Sequence, residues 1–321
     1  TTRDTLSLHD ALPILLDHIG SGKEWDMSRK RGGLRLLPPF GRQSAGRGDY
    51  VSVIDALLAV EGYIRDIKQD YIYLVRGSLA VNLDLTAVMA AHLKSGADVT
   101  AVCTPKTPEG THHRFVTDEN GRATQLLFRR SGPGPGYAAL EAYIMSREAL
   151  LDLLERCDSA MNRRFHRDGL GGLMEAGGTI NVYMHEGYAV NIADVTGYYE
   201  ASMDMLDAKN RRELFPEDRP VHTKGRADVS TYYGDGAVVK NCLVADGCFI
   251  EGELENCVIF RGVRIEQGAV LKNCIIMQDT IIGPGATLNY IISDKDVTVD
   301  GGVTLAGSPK LPLVVPKGSK I

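Results

Sequence analysis

Apolar positions change their period along this chain, from strand-like runs and helical spacings before about residue 210 to a six-residue recurrence from Val238 onward. The run Tyr71-Ile72-Tyr73-Leu74-Val75 has no polar alternation, which predicts a buried strand of a parallel sheet covered on both faces. It stops at Gly77-Ser78. Beyond it, Leu85, Val88, Met89 and Leu93 recur at helical spacing, with Asp84 placed to cap the helix and Gly96 placed to end it. Asp98 to Cys103 reads as the next strand and completes a β-α-β unit, right-handed in nearly all proteins. Ligands of open α/β sheets sit just past the carboxyl ends of such strands, so Ser78 and its neighbours mark the place where chemistry is expected.

Upstream, Val53 to Ile67 carries Ile54, Leu57, Leu58, Ile64 and Ile67 on one side and predicts an amphipathic helix. Downstream, the Asn120-Gly121 pair between Arg114 to Thr117 and Thr124 to Phe128 signals a hairpin. Residues 131–136, SGPGPG, can only be loop, as can the Gly/Arg-rich stretch 41–49. Ala139 to Met145 reads as strand, and Ser146 as the cap of a helix over 148–156. Thr179 to His185 and Tyr188 to Ile192 read as further strands. Alternating strands and helices over 15–209 predict one α/β domain, and Pro216 and Pro220 mark 210–228 as a linker.

From 229 to 321 the pattern differs. Val238, Val244 and Ile250, then after a change of phase Ile259, Ile265, Leu271 and Met277, form one apolar row. Cys242, Cys248 and Leu254, then Val263, Ala269, Ile275 and Ile281, form a second, with Gly at many corners. Each hexad is one short strand and a corner, and three hexads make a coil, which predicts a left-handed parallel β-helix. Such coils stabilise and oligomerise more often than they catalyse.

With 321 residues and 44% apolar composition the chain can bury two cores. A net charge of −5 with both signs mixed gives no basic face for nucleic acid and no Lys/Arg run for an anionic membrane, while small phosphorylated ligands stay open. Six cysteines without a C-x-x-C, and an apolar segment at 11–16 too short for a leader or a span, fit a reducing cytoplasm. The four late cysteines fall on the repeat and read as buried thiols rather than a zinc site. His112-His113 fall in a loop without a carboxylate pattern, which argues against a metal there.

An α/β domain followed by a hexapeptide β-helix occurs in acyltransferases and in sugar-nucleotide pyrophosphorylases. The acyltransferases use a His on or beside the helix, and none follows His222 here. From about Asp17 to the end the chain instead resembles glucose-1-phosphate adenylyltransferase (ADP-glucose pyrophosphorylase). Asp17-His18-Ile19-Gly20-Ser21-Gly22-Lys23-Glu24-Trp25-Asp26 and Arg29 to Gly33 resemble most the regulatory, GlgD-type paralogue. The resemblance implies a nucleotidyltransferase-type, Rossmann-like mixed sheet.

Laid on this sequence, the family pattern is thinned. The G-T-A-D-A-V nucleoside segment is matched by Ser52-Val53-Ile54-Asp55-Ala56-Leu57, where Asp55 and Ala56 remain. The G-D strand end, whose Asp holds magnesium, is matched by Gly77-Ser78; the second metal Asp, in D-V-G-T, is matched by Asp194. The E-K-P sugar-phosphate lysine falls at Arg129 and the F-G-K-D lysine near Gly171. The family's Gly-rich phosphate loop has no counterpart, and residues 1–14 resemble nothing in it, as if replacing the first strand, loop and helix.

A serine hydroxyl cannot replace a carboxylate on Mg2+, so the resemblance implies a chain with little activity of its own that partners a catalytic subunit in a hetero-oligomer, of tetramer type. Anionic metabolite effectors stay open as ligands: Lys23, Lys30 and Arg31, beside glycines, can meet one or can form an exposed basic turn. Other readings stay open here. Asp194 can be a helix cap, and Arg129-Arg130 can be a solvated pair or a bidentate phosphate donor. The rival readings are an active nucleotidyltransferase with a rearranged site and a scaffold for assembly.

Overall fold

The computed structural model describes residues 16, 18–29, 32–37, 52–106, 113–128, 134–161, 164–222 and 228–321. The segment 1–14, the basic residues Lys30 and Arg31, the loop 41–49, and the Arg129-Arg130 pair lie outside the described residues. Among the described residues no helix is long and apolar enough to cross a membrane.

The α/β domain begins with a helix that divides in two, α1 (Val53–Ala59) and α2 (Glu61–Asp66), where Val60 leaves helical geometry at φ −111° and ψ 13°. Strands β1 (Tyr71–Val75) and β2 (Leu79–Val81) lead to α3 (Leu85–Ser95), capped by Asp84 and ended by Gly96 at φ 60° as its sequence predicts. Then come β3 (Val99–Thr104), β4 (His113–Thr117), β5 (Ala123–Phe128) and β6 (Tyr137–Ser146). Helix α4 (Arg147–Ser159), a π-helix over Phe165–Gly171 and the short α5 (Gly172–Glu175) precede β7 (Ile180–Met184) and β8 (Ala189–Asn191).

These strands form a 6-stranded mixed sheet in the order β5-β4-β6-β3-β7, with β1 on the β4 side of β6. The expectation of a parallel neighbour for β1 is corrected: β1 pairs antiparallel with β6, from Tyr71 opposite Ser146 to Val75 opposite Ala142. Its lack of alternation has another cause. Ile72 and Leu74 pack against the core formed with α4, while Tyr73 packs against the core formed with α3. Both faces are therefore covered, but only partly, and Tyr71 and Val75 stay exposed because β1 has no other neighbour among the described residues.

β6 can hold both β1 and β4 on one edge because it is broken. Its first residues pair with β4 at Ala138 and Tyr137, and its last five pair with β1. Between these halves Glu141 takes the left-handed conformation, φ 55°, and the register against β3 shifts.

The stretch expected as linker opens with a helix. After α6 (Val195–Asp204), Asp207 caps α7 (Ala208–Leu214), and Arg211 donates to the Met205 and Leu206 carbonyls at 2.5 and 2.8 Å. The helix therefore continues to the residues just before Pro216. Asn82 then donates to the carbonyls of Leu214 and Arg219, tying this segment back to the loop after β2.

The C-terminal unit is a parallel β-helix of three faces, each a 5-stranded parallel sheet. Leu254, Leu271, Leu288 and Leu305 stack in register on one face, Ile265, Ile282 and Val299 on another. Each of these coils is thus one residue short of three full hexads, because one side per coil takes five residues. The strict six-residue rows slip accordingly: Ile276 and Thr280 are fully buried, whereas Met277 is only partly buried and Ile281 is 42% exposed. Corners are made by Asn241, Asn256 and Asn273 at φ near 50°, and by Gly262, Gly268 and Gly285 with positive φ. The corner asparagines also link coil to coil, Asn241 donating to Asn256 at 2.8 Å and Asn273 to Asn289 at 3.1 Å.

Helix α6 joins the two units. Tyr199 is buried against Ile275 and Ile292 on the outer side of one β-helix face, and its hydroxyl donates to the Asn273 carbonyl at 2.8 Å. The coil register makes a sharp prediction. Ile276→Ala should destabilise the β-helix by about 2–5 kcal/mol, and Ile281→Ala by less than about 1 kcal/mol, read by urea unfolding with circular dichroism. Equal losses would restore the strict hexad register.

Candidate functional site

Ser78 sits in the turn between β1 and β2, and two hydrogen bonds fasten it to the end of β8 and the residue after it. Its hydroxyl donates to Asn191 Oδ1 at 2.6 Å, and the Ile192 N–H donates to its carbonyl at 2.8 Å. The β2/β8 ribbon, with Leu79 opposite Asn191, brings Ser78 and the Asn191–Asp194 segment to the same end of the domain. Asp194 itself caps α6: in extended backbone, its Oδ1 accepts from the Gly197 N–H at 2.8 Å. The helix it starts begins at Val195. Of these two side chains, the Asp194 carboxylate is exposed and serves a helix start, and the Ser78 hydroxyl serves an amide.

Asp55 and Ala56 lie in the first turn of α1. Ser52 and Asp55 bond reciprocally, the Asp55 N–H donating to Ser52 Oγ at 3.1 Å and the Ser52 hydroxyl to Asp55 Oδ2 at 2.9 Å. Ile54 between them is fully buried. Lys23 lies in a short 3-10 turn, Lys23–Trp25, and Trp25 Nε1 donates to the His222 carbonyl at 2.8 Å. Gly171 closes the π-helix and is not among the residues lining the cleft described next.

A cleft of about 480 Å³ is lined by Ser52, Val53, His113, Phe128, Arg164, Phe165, His166 and Arg167. It gathers the start of α1, the start of β4, the end of β5 just before Arg129, and the start of the π-helix. At its wall the His113 and His166 rings stack, centroids 3.8 Å apart and 23° from parallel, and Phe128 meets His113 edge-on at 5.3 Å. Glu141, aimed here by its left-handed backbone in β6, places Oε1 3.6 Å from His113 Nδ1 and takes Arg76 Nη1 on Oε2 at 2.7 Å.

Electrostatics follow from this burial. Desolvation would raise the Glu141 carboxyl, but the neighbouring His113 and the hydrogen bond from Arg76 outweigh it and hold the group at about 2. His166 is lowered to about 4, first by burial and then by the neighbouring His113. Near neutral pH the cluster thus presents an ionised carboxylate beside a neutral His166 imidazole.

The reading of His113 as a loop residue without a carboxylate partner is corrected. His113 opens β4, and its carboxylate comes from a distant strand, beyond the reach of sequence spacing. His166 and Glu141 were not singled out from sequence. The one available signal for Glu141 was a lone charge inside the apolar run Ala139 to Met145.

The family profile described as "GlmU-like, C-terminal hexapeptide" matches residues 229–310, the β-helix. Similarity over the longer chain runs to glucose-1-phosphate adenylyltransferase of Clostridium novyi (strain NT), 26% identical over 80% of this chain and 68% of that protein. The same enzyme of Geobacillus stearothermophilus is 29% identical over 81% of this chain and 68% of its own length. Glycogen biosynthesis protein GlgD of Bacillus subtilis (strain 168) is 32% identical over 80% of this chain and 65% of that protein.

The chain is a homologue of glucose-1-phosphate adenylyltransferase and of GlgD.

The capping role of Asp194 predicts that Asp194→Ala lowers stability by about 1 kcal/mol, while Asp194→Asn retains most of it. Thermal unfolding of the two variants checks this. Equal stability of all three proteins would mean that α6 does not depend on its cap.

Proposed function

We propose that this chain is a regulatory subunit of a glucose-1-phosphate adenylyltransferase, acting in glycogen biosynthesis and nearly inactive by itself. The reaction it would tune is ATP plus glucose 1-phosphate giving ADP-glucose and diphosphate. One observation carries the reading: where the family resemblance places the first magnesium Asp, Ser78 donates its hydroxyl to Asn191 at 2.6 Å.

Magnesium requires near-octahedral oxygen ligation, usually with one or two carboxylates beside phosphates and waters. A hydroxyl committed to an amide and a carboxylate committed to a helix start do not fit that ion. Adenylyl transfer depends on positioning and on neutralising phosphate charge, so the loss weighs directly on rate.

Regulation needs a ligand-facing surface and a route to a partner. The cleft supports the first, with Arg164 and Arg167 on its wall and Phe128 leading to Arg129. Helix α6 supports the second, since it starts at Asp194 beside the strand end and seats Tyr199 on the β-helix. The partner would be a catalytic paralogue in a hetero-oligomer, and the effectors anionic metabolites.

ADP-glucose synthesis by this chain alone, by a catalytic paralogue alone and by the mixture, with Mg2+, tests the reading. The chain alone should be slower than the paralogue by at least about 10³-fold, and the mixture should differ from the paralogue in rate or effector response. Robust activity of the chain alone would overturn the reading of Ser78. A mixture identical to the paralogue would overturn the regulatory role.

A further inference from the structure

The cluster of His113, Glu141 and His166 is made of residues other than Ser78 and Asp194. Its three ligand atoms, one from each side chain, lie within 4.8 Å of one another. We propose that these three residues bind a divalent transition metal, with Zn2+ the ion that fits best.

Four features carry this. The donor set is two imidazoles and one carboxylate, which suits zinc and its neighbours rather than Mg2+ or Ca2+. A tetrahedral ion with bonds of about 2.1 Å needs donor atoms about 3.4 Å apart, and His113 Nδ1 lies 3.6 Å from Glu141 Oε1. The His166 nitrogen Nε2 is buried and has no hydrogen-bond partner among the described residues, a costly state that a metal would relieve. Finally, Glu141 is a non-glycine residue in left-handed backbone within a strand, φ 55°, the kind of local strain that persists where a side chain must be aimed.

The surroundings complete the site. Arg76 occupies the other carboxylate oxygen at 2.7 Å, leaving Oε1 for the ion and fixing its direction. His113 and His166 both line the 480 Å³ cleft, so a fourth position opens to it. With the ion, one carboxylate and one guanidinium in place the local charge is positive, which favours water or a small anion as fourth ligand.

Cobalt(II) titration of the full chain, followed by its visible d–d absorption, tests the proposal, with zinc competing for the same sites. One equivalent per chain is expected, with the intense bands of a tetrahedral nitrogen and oxygen site and no thiolate-to-cobalt charge transfer. His166→Gln and Glu141→Gln should each weaken binding by at least about tenfold, with circular dichroism confirming that both fold. Should either variant fail to fold, the unaltered chain decides: Zn2+ should raise its Tm and Mg2+ should not. Absence of cobalt binding, thiolate charge-transfer bands, unchanged affinity in folded variants, or no Zn2+ effect on Tm would each overturn the site.

Discussion

Between Val102 and Cys103 the partners on β6 jump from Ala142 to Ala139, leaving Leu140 and Glu141 outside the ladder. Most of the α/β domain depends on that break. It bends a strand of 10 residues so that β4 pairs with its beginning and β1 with its end. Leu140 turns into the core beneath α3, and Glu141 turns out toward Arg76, His113 and His166. A regular strand would alternate its side chains and could not direct two successive residues in this way. The β1 terminus is held from the same point, since the Arg76 N–H donates to the Glu141 carbonyl at 3.2 Å.

From that terminus the chain runs to Ser78, and the β2/β8 ribbon passes the constraint to Asp194 and α6. Helix α6 then meets the β-helix through Tyr199, Ile275 and Ile292. The β-helix resists deformation for a different reason. Its inward side chains stack in register, coil upon coil, and its corners are held by residues able to take positive φ. Its cysteines belong to this packing. A hydrogen bond with Cys242 pulls the Cys257 thiol down, but Cys274 and burial push it up to about 12, so it packs as a small apolar group.

Local signals were legible without coordinates where one residue type has one physical use. Asp84 and Ser146 cap the helices predicted for them, Gly96 ends α3, and Asn120-Gly121 lies in the turn between β4 and β5. The hexapeptide recurrence announced the β-helix because stacked coils must repeat their inward residues. The counting failed by one residue per coil, since a short side still turns a corner. That leaves Ile276 inside and Ile281 outside. Likewise an apolar run says that Tyr71 to Val75 is covered, but covering is a property of faces and pairing a property of edges. Only the fold decided that its neighbour is antiparallel.

The sequence by itself determined the order of the elements it announced, most of their caps, and the two-part architecture. These depend on neighbours along the chain or on a motif read in place. Tertiary structure alone decided what Ser78 bonds to, that Asp194 spends its carboxylate on α6, and that His113, Glu141 and His166 meet. Those three lie on β4, β6 and the π-helix, and no spacing along the chain encodes the bulge that draws them together.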